Sequence, residues 1–347
     1  MAYACSRRAF VASAAGALSL LAAGCAPSPS RGSSPADPPA PGAPSRPRAR
    51  IASLKGPTSI GLVPFMARAS AGGLAADYDF LMTAAIDEVV SGVVKGDVDI
   101  ALLPANVASV LYAKTGGAVV ALDVNALGVL HLVTGDAGVR RFGDLAGRAV
   151  YLTGKGATPE YVVRHLLELS GIASSVSLEF KSEPTEVVSI LAADPSAAGV
   201  LPQPFATAAV SRAPALAAPI ALADVWSEVA GADGSRLVAG VTIARRAFAE
   251  EHPGVIDEFL AAHAQSASAV TADPAAWAQD VVDAGIVDDP AIAEAAIPGC
   301  GVVCLTGAGL ESALAGYLAV LASADPASVG GLAPGFRFLS CLIPNLE

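Results

Sequence analysis

Residues 151–168 of the chain have the sequence YLTGKGATPEYVVRHLLE. This stretch predicts a strand that ends at a glycine-rich turn, followed by a helix that begins at Thr158 and Pro159. Proline suits the first helical turn because its φ is already helical and its missing N–H had no partner there. Gly154 and Gly156 carry no Cβ, so a ligand can approach the backbone closely. The stretch therefore predicts a βα junction whose helix amides face a crevice.

Four further junctions share this pattern of a strand followed by proline and a small or polar residue at a helix start. They are Lys55-Gly56-Pro57-Thr58, Leu103-Pro104-Ala105-Asn106, Lys181-Ser182-Glu183-Pro184-Thr185 and Leu201-Pro202-Gln203-Pro204-Phe205. In open α/β sheets, ligands bind in the crevice beyond the carboxyl ends of the strands. One junction alone is an ordinary capped turn, whereas five from both halves of the chain favour a shared pocket. Gly154-Lys155-Gly156 is not a P-loop, because no Ser or Thr follows the lysine.

Strand-like apolar runs alternate with amphipathic helical segments from Ile51 onward. The predicted strands are 51–54, 78–83, 99–103, 119–122, 128–134, 149–152, 176–180, 198–201 and 237–243. The predicted helices are 59–68, 84–94, 106–114, 159–170 and 185–193, then 252–270, 274–283, 290–296 and 309–322 after the strands stop near Ala244. This order predicts an α/β fold with mainly parallel sheets flanked by helices. A chain that leaves one sheet near residue 135 and returns near residue 236 forms two lobes.

The N-terminus predicts export. Arg7 and Arg8 precede an Ala/Leu-rich stretch that ends in LAAGC at residues 21–25, which resembles a twin-arginine signal joined to a bacterial lipoprotein box. We expect residues 1–24 to be a signal peptide and Cys25 to be lipidated, with the twin-arginine and general secretory routes both open. Residues 25–50 are rich in Pro, Ser and Arg, and this composition predicts a disordered tether. The folded body is expected outside the cytoplasm, anchored by lipid to the outer face of the cell membrane.

The net charge argues against nucleic acid as a partner, and the cysteine and histidine positions argue against a metal site. The chain has 32 Asp+Glu against 21 Lys+Arg, a net charge of −11, so nucleic acid is a poor partner. Cys300, Cys304 and Cys341 remain after Cys5 and Cys25 are assigned to the signal and the lipid. No metal site is expected, because no histidine follows His263 and the third thiol is far along the chain. Buried free thiols are expected, with a Cys300–Cys341 disulfide as the alternative.

Several stretches resemble the solute-binding lipoproteins of ABC importers of the nitrate/sulfonate/taurine type, a class that also serves pyrimidine-precursor uptake. They are LKGPTSIGLV, EVVSGVVKGDVDIALLPANVASVLYAKTGG, LGVLHLVTGD, GKGATPEYVVRHLLE, LPQPFATAA and ASVGGLAPGFRF. The resemblance covers about Ile51 to Phe338. It implies a two-lobed type II periplasmic-binding-protein fold, with lobe one at 51–134 plus 240–347, lobe two at 135–239, and hinge strands at 129–135 and 235–241.

The resemblance also implies the binding residues and partners. The ligand-binding positions are Gly56, Pro57, Thr58, Pro104, Ala105, Asn106, Gly156, Ala157, Thr158, Gln203, Pro204 and Phe205. The expected partners are a small polar or anionic solute, a membrane permease and its ATPase, with the protein a monomer and no cofactor bound. Asn106 and Gln203 suit a crevice because an amide both donates and accepts. Lys55 and Lys155 are candidate cations, and Phe205 is a candidate to stack on a planar ligand.

Two other functions remain open at this stage. The first is an exported enzyme on the same fold that acts on a pyrimidine or chorismate-type molecule. An enzyme needs a positioned acid, base or nucleophile, and the sequence contains no G-x-S-x-G or H-E-x-x-H motif and no local His/Cys/Asp cluster. The second is a surface adhesion or sensor module. The sequence favours the solute-binding protein over both.

Overall fold

A computed structural model of the chain describes residues 46–229 and 235–331. The predicted signal peptide, the lipidation site Cys25, most of the predicted tether and Cys341 lie outside the described residues. The last predicted tether residues do not: β1 begins at Arg48, three residues before the predicted strand.

The strands occur in the order that the apolar runs predict, with two additions. They are β1 Arg48–Leu54, β2 Asp77–Thr83, β3 Ile100–Pro104, β4 Val119–Leu127, β5 Leu130–Thr134, β6 Ala149–Leu152, β7 Ser177–Phe180, β8 Ala198–Pro202, β9 Ala217–Ala221, β10 Val238–Arg245 and β11 Val302–Leu305. β3 is apolar throughout and buried along most of its length, as expected for a strand with helices on both faces of its sheet.

The helices follow most strands directly. They are α1 Pro57–Ile60, α2 Val63–Ser70, α3 Ile86–Lys95, α4 Ala105–Lys114, α5 Thr158–Leu169, α6 Pro184–Ala193, α7 Phe205–Arg212, α8 Leu222–Val229, α9 Arg246–Glu251, α10 Pro253–Ala272, α11 Pro274–Asp283, α12 Pro290–Ala296 and α13 Gly307–Ala324. The predicted bounds of α11 and α12 match the structure, whereas the helix predicted at 59–68 is two helices separated at Gly61 and Leu62.

The strands form two sheets. The first sheet has six strands in the order β11-β4-β10-β3-β1-β2, and the second has five in the order β7-β6-β8-β5-β9. β1 is parallel to β2 and β3, and β6 is parallel to β7 and β8. β10 and β5 run antiparallel to both of their neighbours. Both sheets are therefore mixed, and the predicted parallel pairing holds on one side of each.

The crossing from the first sheet to the second lies earlier than predicted. β5 falls in the range predicted for lobe one, 51–134, and in the hinge strand predicted at 129–135; it pairs with β8 and β9 of the second sheet. The chain crosses at Gly128 and Val129 and returns before β10. The sequence did not place this boundary because a strand pattern does not state which neighbours the strand pairs with.

Two strands were missed. β9 contains Pro219, which argues against a strand but is tolerated on an edge, where β9 lies. β11 contradicts the prediction that strands stop near Ala244: its four residues pair with β4, and so short an apolar run between helices carries little periodicity. β11 is an edge strand of the first sheet and carries Cys304.

The core is continuous between the two sheets. Its largest cluster includes Leu103 of the first sheet and Leu132 of the second. Trp226 of α8 packs against Tyr317 of α13, with ring centroids 5.6 Å apart. α13 is the one described helix long and apolar enough to span a membrane, a test that a core helix also passes. Here its apolar residues, including Leu314 and Leu321, are buried in the cluster.

Candidate functional site

A cavity of about 170 Å³ lies between the two sheets. It is lined by Leu54, Lys55, Gly56, Pro57, Thr58, Pro104, Val129, Leu130, Thr158, Pro159, Pro202, Leu237 and Ala239. These residues come from the carboxyl ends of β1, β3, β6 and β8 and from the two crossing segments. The volume greatly exceeds the roughly 10–15 Å³ that one water needs, so the cavity has room for a small organic molecule.

The starts of α1, α4 and α5 lie at this cavity, because each of these helices follows its strand after five residues or fewer. α1 follows Gly56, whose φ of +153° disfavours other residues, although a Cβ there would meet nothing within 4 Å. α5 follows a turn with Gly154, whose φ is +81° and whose added Cβ would lie 2.9 Å from Cγ of Pro159. The glycines predicted to shape these junctions are therefore required by conformation at Gly56 and by both conformation and space at Gly154.

The four helix starts lack side-chain caps. The N-cap residues of α1, α4, α5 and α7 are Gly56, Pro104, Ala157 and Pro204, and none of them makes a side-chain capping hydrogen bond. An uncapped helix start leaves amide donors and the positive end of the helix dipole available to a ligand. At α5 one nearby donor is already used, because N–H of Gly156 donates to Oε2 of Glu160 at 2.7 Å.

Glu160 is an internal anion at the α5 junction. Its partial burial raises its pKa, but the Gly156 N–H and the Arg164 guanidinium, 2.8 Å from Oε1, outweigh burial and leave the pKa below the ordinary value. Glu160 is thus ionised at neutral pH, and its charge complements the N-terminus of α5. α1, in contrast, has no acidic residue in its first turn.

Two predicted amide ligands bond to the protein itself. Thr158 donates its hydroxyl proton to Oδ1 of Asn106 at 2.9 Å, which joins α5 on the second sheet to α4 on the first. Gln203 Oε1 accepts from the backbone N–H and the hydroxyl of Thr207 at 3.2 and 2.9 Å. The Nε2 atom of Gln203 lies 3.0 Å from where a Cβ of Gly299 would be, so the lack of a side chain at Gly299 allows Gln203 to pack against it.

The two candidate cations differ in position. Lys55 lines the cavity, and its Nζ lies 3.4 Å from the position of an added Cβ on Gly285. Lys155 does not line the cavity; its Nζ is 6.0 Å from the centroid of the Phe180 ring. Lys55 is therefore the better placed of the two to attract an anion.

The structure brings only part of the predicted set to the cavity. Gly56, Pro57, Thr58, Pro104 and Thr158 line it, whereas the others do not. Those others are Ala105, Asn106, Gly156, Ala157, Gln203, Pro204 and Phe205. Pro204 and Phe205 instead line a separate open cavity of about 630 Å³ beside α6 and residues 285–288.

The sequence missed the walls contributed by the crossing segments. Val129, Leu130, Leu237 and Ala239 are buried and line the cavity. They belong to apolar strand runs, which predict core positions, and nothing local distinguishes a core residue from a cavity wall. Gly128 was the one available signal, because a glycine between two strand patterns marks a break; in the structure its φ is +57°.

Acidic, histidine and cysteine side chains of the described residues lie away from the cavity. None of the described residues that line it is a His, Cys, Asp or Glu. His131 on β5 and His165 on α5 both have pKa values lowered by burial, and the His165 ring packs 5.7 Å from Trp226. Cys300 and Cys304 are free thiols. The sequence suggested no His/Cys/Asp cluster, but the structure places Asp123, His263 and Cys304 together beside the first sheet.

Comparison of the fold with solved structures gives matches, whereas comparison of the sequence gives none. No protein-family model matches the chain, and no curated protein matches it either. The structure is similar to a crystal structure of an ABC transporter from Parabacteroides distasonis, with a TM-score of 0.69 and 20% identity over 84% of this chain and 98% of that chain. The periplasmic aliphatic sulphonate binding protein of Escherichia coli is similar with a TM-score of 0.66 and 13% identity, over 87% of this chain and 98% of that one.

This chain has the fold of periplasmic binding proteins of ABC importers. The periplasmic nitrate-binding protein of Synechocystis PCC 6803 is also similar, with a TM-score of 0.51 and 12% identity over 82% of this chain and 84% of that one. These structural neighbours are binding proteins rather than enzymes. In the periplasmic-binding-protein fold the two sheets described above are the centres of the two lobes, and the 170 Å³ cavity lies between them.

Proposed function

We propose that this protein is the extracytoplasmic solute-binding component of an ABC importer and that it is not an enzyme. It captures a small polar or anionic organic solute between its lobes and delivers the solute to a membrane permease. The observation that carries the proposal is the cavity lined by strand ends and helix starts of both sheets. A solute that contacts both sides stabilises the closed arrangement over the open one by its differential affinity.

The lining favours an organic anion over a bare oxyanion. Lys55, Thr58 and the uncapped start of α1 offer positive charge and hydrogen-bond donors at one side. The rest of the lining is apolar and includes Leu54, Val129, Leu130, Leu237 and Ala239. Such a wall binds a ligand with an apolar part more favourably than a fully polar one. We therefore place short alkanesulfonates and related organic acids ahead of nitrate and the zwitterion taurine.

Localisation and partners follow from the N-terminal sequence and the fold. We propose that lipid on Cys25 anchors the protein to the outer face of the cell membrane, that residues 26–45 separate the body from the membrane, and that the body works as a monomer with a permease and an ATPase. The absence of acidic, His and Cys side chains from the described cavity lining supports binding over acid–base or nucleophilic chemistry.

A thermal-shift screen tests the proposal. The mature chain is melted with alkanesulfonates of increasing length, taurine, nitrate, amino-acid-like zwitterions and pyrimidines. A ligand at 100 times its Kd adds about 2.7 kcal/mol of stability, which raises the melting temperature by about 5 °C. We expect an alkanesulfonate to give the largest rise.

A matched pair of variants locates the binding. Ala239→Leu places three extra carbons in the cavity wall and is expected to abolish the shift. Ala261→Leu makes the same change on the exposed face of α10 and is expected to leave it intact. If no compound shifts the melting temperature and one of them is turned over, the protein is an enzyme and the proposal is wrong.

A further inference from the structure

Three potential metal ligands meet outside the solute cavity. Asp123 lies on β4, His263 on α10 and Cys304 on β11, and their ligand atoms all lie within 4.8 Å of one another. Asp123 and His263 are completely buried, whereas Cys304 is partly exposed. None of the three lines the solute cavity. The cluster is therefore a separate feature of the first lobe, at a place where one helix packs over two neighbouring strands.

The donor set is of the kind that zinc prefers. Carboxylate oxygen, imidazole nitrogen and thiolate sulfur all bind Zn²⁺, and sites with three protein ligands leave a fourth position for water. Nδ1 of His263 lies 3.0 Å from Oδ2 of Asp123. Two ligands at about 2.0 Å from a tetrahedral zinc are about 3.3 Å apart, so an ion fits between these atoms with a displacement of a few tenths of an ångström.

Charge gives a second, independent indication. Asp123 is fully buried, and among the described residues no Lys or Arg forms an ion pair with it. Its Oδ1 accepts from the hydroxyl of Thr242 at 2.8 Å. A buried carboxylate without a counter-ion is costly. A divalent cation bound by one carboxylate, one thiolate and a neutral imidazole forms a neutral unit.

The second ring nitrogen of His263 points away from the cluster. Nε2 of His263 has no hydrogen-bond partner among the described residues. It faces Gly61, where an added Cβ would lie 3.3 Å away. Glycine at position 61 therefore leaves room for the imidazole ring.

We propose that Asp123, His263 and Cys304 form a binding site for a divalent metal ion of the zinc type. The fourth ligand is a water that enters from the side of Cys304, the one member of the cluster that solvent reaches. The ion links β4, β11 and α10 and so stabilises the first lobe rather than contacting the solute. Local spacing rules do not detect such a cluster, because Asp123 and His263 lie 140 positions apart along the chain.

Cobalt titration tests this site directly. The mature chain with Cys25→Ser is stripped with chelator and titrated with Co²⁺, then with Zn²⁺ in competition. We expect one equivalent to bind and to produce the near-ultraviolet thiolate-to-cobalt band and the visible bands of a four-coordinate ion. The variant Cys304→Ser is expected to lose the thiolate band and to weaken zinc affinity by at least about 100-fold, because removing an outer partner alone costs 10–100-fold.

Cys300→Ser is the matched control. Cys300 lies four residues away, is buried, and its thiol donates to the carbonyl of Ala296 rather than joining the cluster. This variant should keep the band and the affinity. Asp123→Asn and His263→Gln should each weaken zinc binding, with circular dichroism to confirm folding. A wild-type protein without a thiolate band, or a Cys304→Ser protein that binds zinc as tightly as wild type, shows that the cluster is a hydrogen-bond network only and overturns the proposal.

Discussion

The hydrogen bond from Thr158 to Asn106 makes lobe closure testable by a single substitution. The bond connects α5 to α4 across the cavity, at 2.9 Å, and both side chains are buried. Thr158→Val keeps the shape of the side chain and removes the donor. Oδ1 of Asn106 then stays buried without this partner in the closed arrangement, whereas water can bond to it once the lobes separate.

The expected effect follows from that asymmetry. A buried acceptor left without a partner costs about 1–3 kcal/mol. Because the cost applies to the closed form alone, the ratio of closed to open molecules falls by about 5–150-fold. A solute that binds the closed form then binds more weakly by up to the same factor, because it must first drive closure.

Calorimetric titration and small-angle scattering measure this change. The probe is the alkanesulfonate that gives the largest melting shift. We expect weaker binding and a larger radius of gyration for ligand-free Thr158→Val than for wild type. Thr271→Val is the control, because the Thr271 hydroxyl bonds within α10 to the carbonyl of Ala267 and lies away from the cavity.

Asn106→Ala separates closure from direct contact. Thr158 lines the cavity but Asn106 does not, so a loss of affinity in both variants identifies an effect on closure. If Thr158→Val alone weakens binding, its hydroxyl contacts the solute directly. If neither variant alters affinity or scattering, the bond does not bias the lobes and the reasoning is refuted.

Two predictions concern the first lobe. Gly301→Ala should unfold the protein at 37 °C or lower its melting temperature by more than 10 °C in a thermal melt. The reason is that φ at Gly301 is +57° and the new Cβ would lie 1.6 Å from the carbonyl oxygen of Leu127. A melting curve like that of wild type contradicts this prediction. Asp99 is buried; desolvation raises its pKa, but hydrogen bonds from Arg50 and Arg245 outweigh that effect and lower the pKa below its ordinary value. The stabilisation that Asp99 gives is therefore present above the unfolded pKa of about 3.9 and is lost as pH falls through the folded pKa. Asp99→Asn should destabilise the protein at pH 7 and flatten its acid-unfolding curve in urea titrations between pH 2 and pH 6. An unchanged curve would show that the ion pair adds nothing.

The sequence predicted what local patterns encode. The βα order follows from apolar periodicity, and the helix start at Thr158 follows from proline geometry; the structure has both. The first helix begins at Pro57 rather than at the predicted residue 59. The sheet to which β5 belongs did not follow, because a strand pattern does not state which neighbours the strand pairs with.

Long-range proximity was also beyond local patterns. Whether Asn106 faces a ligand or the opposite lobe depends on how the two sheets approach each other. The meeting of Asp123, His263 and Cys304 likewise depends on the short strand β11, which periodicity does not detect. Composition at a junction predicts the chemistry available there, whereas tertiary packing decides which atoms are left for a ligand.

The two crossing segments tie the shape of the cavity to the motion of the lobes. N–H of Gly128 donates to the carbonyl of Leu237 at 2.8 Å, so the outgoing and returning chains are joined beside the cavity. An added Cβ on Gly128 would lie 2.7 Å from Cβ of Ala223, which leaves little freedom at this point. Val129, which follows Gly128, and Leu237 itself form part of the cavity wall. Under the proposed function, rotation of one lobe against the other would change the backbone at these residues and therefore the width of the cavity. A solute too long for the closed cavity would then keep the crossing segments from their closed geometry, so we expect selection by length at the hinge as well as by charge at Lys55.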